Sequence, residues 1–521
     1  MSLFKSASLV SLLTLASRVT GLVRELLMAS VFGASAMTDA FNVAFRIPNL
    51  FRRFFAEGSF SQAFVPVLAA SLASDGPERT RRIVDQVATI MVWVLLALSV
   101  LGVLGASGLV WLMASGLAQD PKTLDTAAVL TRWMFPYIAF MSLVALASGV
   151  LNTWKRFAVP AVTPVLLNVC MIASAALGAP WMARQGLEPI YAMAGGVLAG
   201  GALQLGLQWF ALHRLGLRPH VAWRWSALRQ AWQDAATKKI LALMGPTLLG
   251  VGVAHLSMLI NTQIASHLRP GSVSWISYAD RLMEFPTALL GVALGVVLMP
   301  QLAAARARND PARYSELMDW GLRLVVLLAL PCAAALLVFA IPLVAVLYHY
   351  GAMRAVDVQQ VSFALMGWGV GLLGLIALKV LAPGYYANQD TRTPVKIALG
   401  VLLVTQALNA LLVPVLAHAA LTLSIGLGAL VNAAWLLRGL LRRGLYQPMP
   451  GWPRFLAQTG LATLVMAGFL AWAHGHWDWI ALQSRIFERI LTLIGVLIAA
   501  AALYFITCAA VRVPLKSLVR R

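Results

Sequence analysis

Fourteen apolar runs of about twenty residues or more follow one another along the chain. They lie near 5–32, 38–73, 84–116, 123–152, 159–182, 190–212, 240–267, 273–304, 315–347, 358–385, 394–416, 421–438, 455–473 and 488–511. A run of that length crosses the roughly 30 Å hydrocarbon layer as a helix, because a backbone left open there finds no water to hydrogen-bond. The chain is 60% hydrophobic and 11% charged, a balance that a water-soluble fold of 521 residues does not carry. The expected fold is an all-α integral membrane protein of about fourteen transmembrane helices. Several runs exceed the bilayer thickness and should tilt, kink or protrude. Residues 1–15 are short and apolar, but no small-residue cleavage site leads into a soluble domain, so they read as the start of the first membrane helix.

The net charge of +21 is distributed by side rather than by patch. With the N-terminus placed inside, the even-numbered connections and both termini hold 25 of the 40 Lys and Arg. The opposite connections hold only 5: Lys122, Arg184, Arg269, Arg354 and Arg485. The positive-inside rule then puts both termini in the cytoplasm and agrees with an even number of spans. The basic excess is topology plus attraction to anionic headgroups, and no nucleic-acid partner is expected.

The remaining 10 basic residues fall inside spans: Arg18, Arg24, Arg46, Arg52, Arg53, Arg132, Arg281, Arg323, Lys379 and Arg489. Each costs about 2.5–3.5 kcal/mol at a bilayer centre, against roughly −0.3 to −0.6 for each Leu or Phe. Arg132, Arg323 and Arg489 lie near span ends, where snorkelling is the expected outcome. The others concentrate in spans one, two, eight and ten. In DAFNVAFRIPNLFRRFFAE, Asp39, Asn42, Arg46, Asn49, Arg53 and Glu57 share an arc of roughly 80° on a helical wheel, opposite Phe41, Ala44, Phe45, Phe51 and Phe55. Leu50 intrudes on that stripe, Arg52 lies off it, and Pro48 should kink the helix. In span eight Arg281 and Glu284 stand three residues apart, the spacing of a salt bridge, beside Asp280. Lys379 has no carboxylate nearby in sequence and needs a distant acid or a cavity. Cys170, Cys332 and Cys508 sit singly in apolar runs and read as small buried hydrophobes.

Four segments follow from these signals: an N-lobe of spans one to six (1–215), a cytoplasmic amphipathic linker (216–239), a C-lobe of spans seven to twelve (240–445), and a C-terminal pair with a basic tail (446–521). In the linker Trp223, Trp225 and Trp232 alternate with arginines, as in a helix lying on a membrane surface. Six spans return the chain to its starting side, so any repeat between the lobes is parallel. Span two carries Arg46 and then PVLAA, and span eight carries Arg281 and then PQLAA. Both halves open their fifth span with Thr-Pro (Thr163-Pro164, Thr393-Pro394), followed by Asn168 and Asn409.

Arg24, Arg46, Arg52, Arg53, Arg281 and Lys379 outnumber Asp39, Glu57, Asp280 and Glu284, so a chamber lined by them attracts anions. Arginine forks suit phosphate or pyrophosphate. No nucleophile–base pair, metal-ligand spacing or nucleotide loop is present. The chain reads as a transporter rather than an enzyme, without a cofactor, driven by the membrane potential or a cation gradient. The short outward connections argue against a membrane glycosyltransferase.

The segments SRVTGLVRE (Ser17–Glu25), FRIPNLFRRFFAEGSFSQAFVPVLA (Phe45–Ala69), SWISYADRLMEFPTALLGVALGVVLMP (Ser274–Pro300) and KVLAPGYYANQDTRTPVKIA (Lys379–Ala398) closely resemble the MurJ (MviN) family of the MOP superfamily, the bacterial lipid II flippases. The resemblance covers essentially the whole chain. It implies two six-helix lobes around a central cationic cavity and a two-helix extension bordering a groove for the polyprenyl tail. It also implies residence in the bacterial inner membrane, and transport of undecaprenyl-pyrophosphate-linked disaccharide-pentapeptide for cell-wall biogenesis, with cell-wall synthesis proteins as candidate partners. The family's important charges fall on Arg18, Arg24, Asp39, Arg52, Arg53, Glu57, Asp280, Arg281, Glu284 and Lys379. Arg46 and Glu25 keep the charge at two more positions. The expected substrate-binding set is Arg24, Arg52, Arg53, Arg281, Lys379, Arg18 and Arg46, with Asp39, Glu57, Asp280 and Glu284 as gate or ion-pair residues. Some family members bind sodium in the second lobe; Asp390 fits that region as a cation contact, but the sequence offers no neighbours that complete an ion site, which stays open. The other readings are a flippase for a different polyprenyl-linked glycan, such as an O-antigen unit, and a non-transporting scaffold of cell-wall synthesis.

Overall fold

The computed structural model describes residues 3–52 and 59–515; at 3–8, 11, 51, 52, 59, 62, 245–254, 292, 293 and 296 only the backbone is described. Among the described residues the regular structure is entirely helical. The chain divides by packing into two units, Met1–Val273 and Ser274–Arg521.

The first unit holds α1 (Leu3–Phe32), α2 (Ala36–Arg52), α3 (Ser59–Ser74), α4 (Gly76–Leu104), α5 (Ala106–Ala114), α6 (Pro121–Met134), α7 (Tyr137–Thr153), α8 (Ala158–Ala173), α9 (Ala179–Arg184), α10 (Tyr191–Arg214), α11 (Trp225–Gln233) and α12 (Ala235–Ser266). The second holds α13 (Ser272–Pro286), which starts at the division, α14 (Ala293–Ala307), α15 (Pro311–Val338), α16 (Ala340–Tyr348), α17 (Ala355–Ala387), α18 (Arg392–Leu416), α19 (His418–Arg442), α20 (Trp452–His476) and α21 (Ile486–Ala510).

Among the described residues, every apolar run of the sequence is occupied by one helix or by consecutive helices. Nine helical stretches are, by length and composition, long and apolar enough to cross a membrane among the described residues. The longer runs are broken where the backbone ladder is weakest. Run three breaks at Gly105, run four at Phe135-Pro136, where proline supplies no N–H, and run nine at Phe339. Runs five and eight each contain a π-helical turn, Ser174–Gly178 and Thr287–Val292, the second directly after Pro286. Pro48 lies inside α2, which continues through it to Arg52 without a break.

In the first unit, Phe60 and Phe64 of α3 stack at 4.9 Å and bury against Val84 and Val87 of α4, Leu146 and Val150 of α7, and Ile240 of α12. α12 thus packs inside the first unit, against α3 and α5. This division follows side-chain packing, whereas the boundaries at 215, 239 and 445 follow membrane crossings, and the two partition the chain differently. The amphipathic linker condenses into α11, with Trp223 and Trp225 edge-on to Trp93 at 6.1 and 6.4 Å. Asp234 then caps α12 through Ala236 N at 2.9 Å and pairs with Arg79 at 2.7 Å.

The second unit is centred on α17, which packs against α15 and α19. A Cβ added at Gly371 would stand 2.1 Å from Gly426 Cα, so only glycine lets these two backbones approach in that way.

Candidate functional site

The charged residues picked out in sequence are divided between the two units. In the first, α1 packs on α8, which carries Asn168 into contact with Arg24. Arg24 Nη1 donates to Asn168 Oδ1 at 3.1 Å and lies 3.8 Å from Met171 Sδ, and Nη2 donates to Glu25 Oε2 at 2.9 Å. The Asn168 amide is itself anchored, donating through Nδ2 to Ser17 O at 3.1 Å and Thr20 Oγ1 at 3.2 Å. A neutral amide and one carboxylate therefore aim the guanidinium, and the Arg24 side chain is only 11% exposed. Its Nε remains buried without a hydrogen-bond partner. The arrangement leaves a directed donor group with unspent capacity, as an anion contact requires.

Arg46 on α2 donates from Nη1 to Thr262 Oγ1 at 2.7 Å, while that hydroxyl donates to Met258 O at 2.7 Å. Thr262 is one of the polar residues that interrupt α12. Asp39 opens α2, is buried, and accepts from Gly271 N at 2.6 Å. Gly271 has φ +97°, a left-handed conformation suited to glycine, and leads into α13. Asp39 thus holds the turn that leads into α13. Arg18 is exposed and makes no hydrogen bond or ion pair with described residues. Of Arg52 only the backbone is described, and Arg53 and Glu57 lie outside the described residues.

In the second unit, Asp280 accepts from Trp368 Nε1 at 2.6 Å. Arg281 Nη1 meets Glu284 Oε2 at 2.8 Å, the ion pair that their spacing predicts. Lys379 on α17 is exposed and has no hydrogen-bond or ionic partner among the described residues. Its stem rests on the π-helical turn, since a Cβ at Gly291 would approach Lys379 Cγ to 3.0 Å. Asp390, in the turn between α17 and α18, accepts from Thr393 N at 2.9 Å, Thr393 Oγ1 at 2.6 Å and Arg443 Nη1 at 2.6 Å. The Thr393 hydrogen bonds and the Arg443 guanidinium hold its carboxyl down at about 2. A cation there competes with Arg443. Among the described residues no cluster of three His, Cys, Asp or Glu has metal-binding geometry.

Residues 28–488 match the profile of the family described as lipid II flippase MurJ. The chain is 51% identical over 505 residues to a lipid II flippase MurJ of Burkholderia cenocepacia, covering 97% of this chain and 96% of that one. The chain belongs to the MurJ family. It is also 37% identical to a probable lipid II flippase MurJ of Vibrio cholerae, over 99% of this chain and 97% of that one. Among solved structures, a lipid II flippase MurJ in an inward closed conformation shares the fold with a TM-score of 0.79 at 21% identity, over 98% and 100% of the two chains. An inward-facing multidrug resistance MATE transporter of the MOP superfamily shares it at 0.65 and 12% identity, over 82% and 94%.

Sequence reading missed three features of this MurJ-family chain. Asn168 was seen only as a repeat echo, although it holds Arg24. Asp319 went unnoticed on α15. Arg323 and Arg489 do not snorkel: Arg323 is paired with Asp319 at 2.6 Å, and Arg489 is fully buried. Arg132 is exposed and donates to Ser107 Oγ at 3.1 Å.

Proposed function

We propose that this protein is a lipid II flippase, carrying the undecaprenyl-pyrophosphate-linked disaccharide-pentapeptide from the inner to the outer leaflet of the bacterial cytoplasmic membrane. The observation that carries this reading is 51% identity with a MurJ flippase through 97% of the chain, a span that includes all four charged segments. The protein acts as a transporter and not as an enzyme, with both termini in the cytoplasm. Arg24, Arg52 and Arg53 hold the pyrophosphate, helped by Arg281, Lys379, Arg18 and Arg46. Asp39, Glu57, Asp280 and Glu284 orient those cations when no substrate is bound and make or release gate contacts.

Alternating access needs contacts that hold the pyrophosphate and then let it go. Arg24 supports this because its aim comes from the neutral Asn168 amide and a single carboxylate, Glu25, rather than from a full set of carboxylates. An interior-negative potential of 100 mV is worth about 2.3 kcal/mol per charge. It favours outward movement of an anion and inward return of an empty positive chamber, so both half-cycles run downhill without a nucleotide.

The test is depletion of the protein in cells while lipid II on the outer leaflet is measured with an impermeant reagent. Loss of outer-leaflet lipid II with accumulation inside is expected. Undiminished outer-leaflet lipid II overturns the assignment.

A further inference from the structure

Arg489 lies in the first turn of α21, and its relative exposure is 0%. Its Nε, Nη1 and Nη2 are all enclosed without a hydrogen-bond partner among the described residues. The acid one residue earlier is already taken, since Glu488 pairs with Arg485 at 3.3 Å. The guanidinium instead lies 5.7 Å from the ring centre of Tyr350, whose hydroxyl is spent on Val346 O at 2.7 Å. Beside Tyr350, the imidazole of His349 is 5% exposed and its Nδ1 is also buried and unpartnered. Both residues follow directly on α16, which packs against α21.

An arginine does not shed its proton to escape burial. A dry guanidinium therefore needs acceptors, and a net charge in a low-dielectric wall needs a counter-charge as well. Water supplies the first and not the second. The first-turn N–H groups of α21 add their own positive end, which favours an anion at the same place.

We propose that Arg489, the Nδ1 of His349 and the first turn of α21 form a binding site for one small inorganic anion of the halide class, which pins α21 to the turn after α16. Complete enclosure selects against a phospholipid headgroup, whose ester chains would have to leave through packed side chains. Tyr350 offers its ring to the guanidinium, while its hydroxyl donates to Val346 O. None of these residues belongs to the cationic set assigned to transport.

The experiment uses the full chain, purified and placed in nanodiscs of zwitterionic lipid. Its thermal unfolding is followed in sodium chloride, sodium bromide, sodium phosphate and sodium gluconate at equal ionic strength. Chloride and bromide should raise Tm saturably over gluconate. Arg489→Met should abolish the halide response, and His349→Leu should shift its half-saturation upward several-fold. Should Arg489→Met not fold, bromide anomalous diffraction from the wild-type protein decides: a peak against Arg489 supports the site and its absence overturns it. A wild-type Tm indifferent to halide, or a halide response that survives in Arg489→Met, overturns the proposal. So does stabilisation only by phosphate or by anionic lipid added to the nanodiscs.

Discussion

The C-terminal helices are fastened to the rest of the second unit by two buried charges that are handled in opposite ways. Asp319 on α15, 3% exposed, is saturated. Its Oδ1 accepts from Tyr446 Oη at 2.9 Å, Met449 N at 3.0 Å and Trp452 Nε1 at 2.6 Å, and its Oδ2 accepts from Arg323 Nε at 2.6 Å. Arg323 also donates to Pro450 O at 2.9 Å and lies over the rings of Trp452 and Phe455. Arg489 on α21 has only the Tyr350 ring at 5.7 Å and no hydrogen-bond acceptor among the described residues. A buried carboxylate met by four donors organises the chain, whereas a buried guanidinium met by no acceptor calls for a ligand from outside the chain. Burial alone therefore does not separate structural charges from binding charges; the partner inventory does.

Removing Asp319 is the harshest way to probe that contrast. Asp319→Ala leaves Arg323 buried against aromatic rings without its counter-charge, at a cost of about 3–5 kcal/mol. Loss of folded protein on size-exclusion chromatography is expected, with partial recovery in the double variant Asp319→Ala, Arg323→Met. Normal folding of Asp319→Ala would mean that the saturated network is dispensable and that the comparison with Arg489 has no energetic basis.

The next contrast is between Arg24, aimed by Asn168 and Glu25, and Lys379, exposed and unpartnered. Arg24→Ala should abolish complementation of flippase-depleted cells while the protein remains folded in the membrane. Arg24→Lys should keep only a small part of the activity, because the planar fork is lost although the charge stays. Lys379→Arg should be tolerated, since a point charge free of directed partners makes no such demand. Equal tolerance at both positions would show that geometry around Arg24 plays no part in transport. Asn168→Leu is the milder form of the same test. Losing one anchored hydrogen bond costs about 1 kcal/mol, or roughly fivefold in flipping rate, with no change in the amount of folded protein.

Helices were readable from the sequence because the bilayer demands them: twenty apolar residues leave few alternatives. Chain breaks were less readable, since Pro48 is absorbed within α2 while Gly105 and Phe339, which carry weaker signals, end helices. Local charge pairs such as Arg281 and Glu284 were also legible, because helical spacing alone sets them. The contacts of Arg24 were not, because Asn168 lies 144 residues away and only tertiary packing joins them. Arg489 was misjudged for a related reason. Its position near a span end suggests an exit to the interface, yet α16 and its following turn close over it.

The smallest expected effect comes from the Asp390–Arg443 pair, which contrasts with Asp319–Arg323 in being at the surface. The Arg443 side chain is 47% exposed, so solvent screening limits the pair to less than about 1 kcal/mol. Thr393 and Arg443 hold the folded-state pKa of Asp390 near 2, below the ordinary value of 3.8. A depressed carboxyl contributes its full stabilisation above the unfolded-state pKa and loses it as pH falls through the folded one. Asp390→Asn should therefore lower Tm slightly and by a constant amount from neutral pH down to about 4. Between about pH 4 and pH 2 the wild-type curve should fall toward that of the variant, until the two meet. A gap that widens on acidification would mean that Asp390 is held by something other than its charge. A large gap at neutral pH would mean that a surface pair matters as much as the buried one, which the exposure of Arg443 argues against.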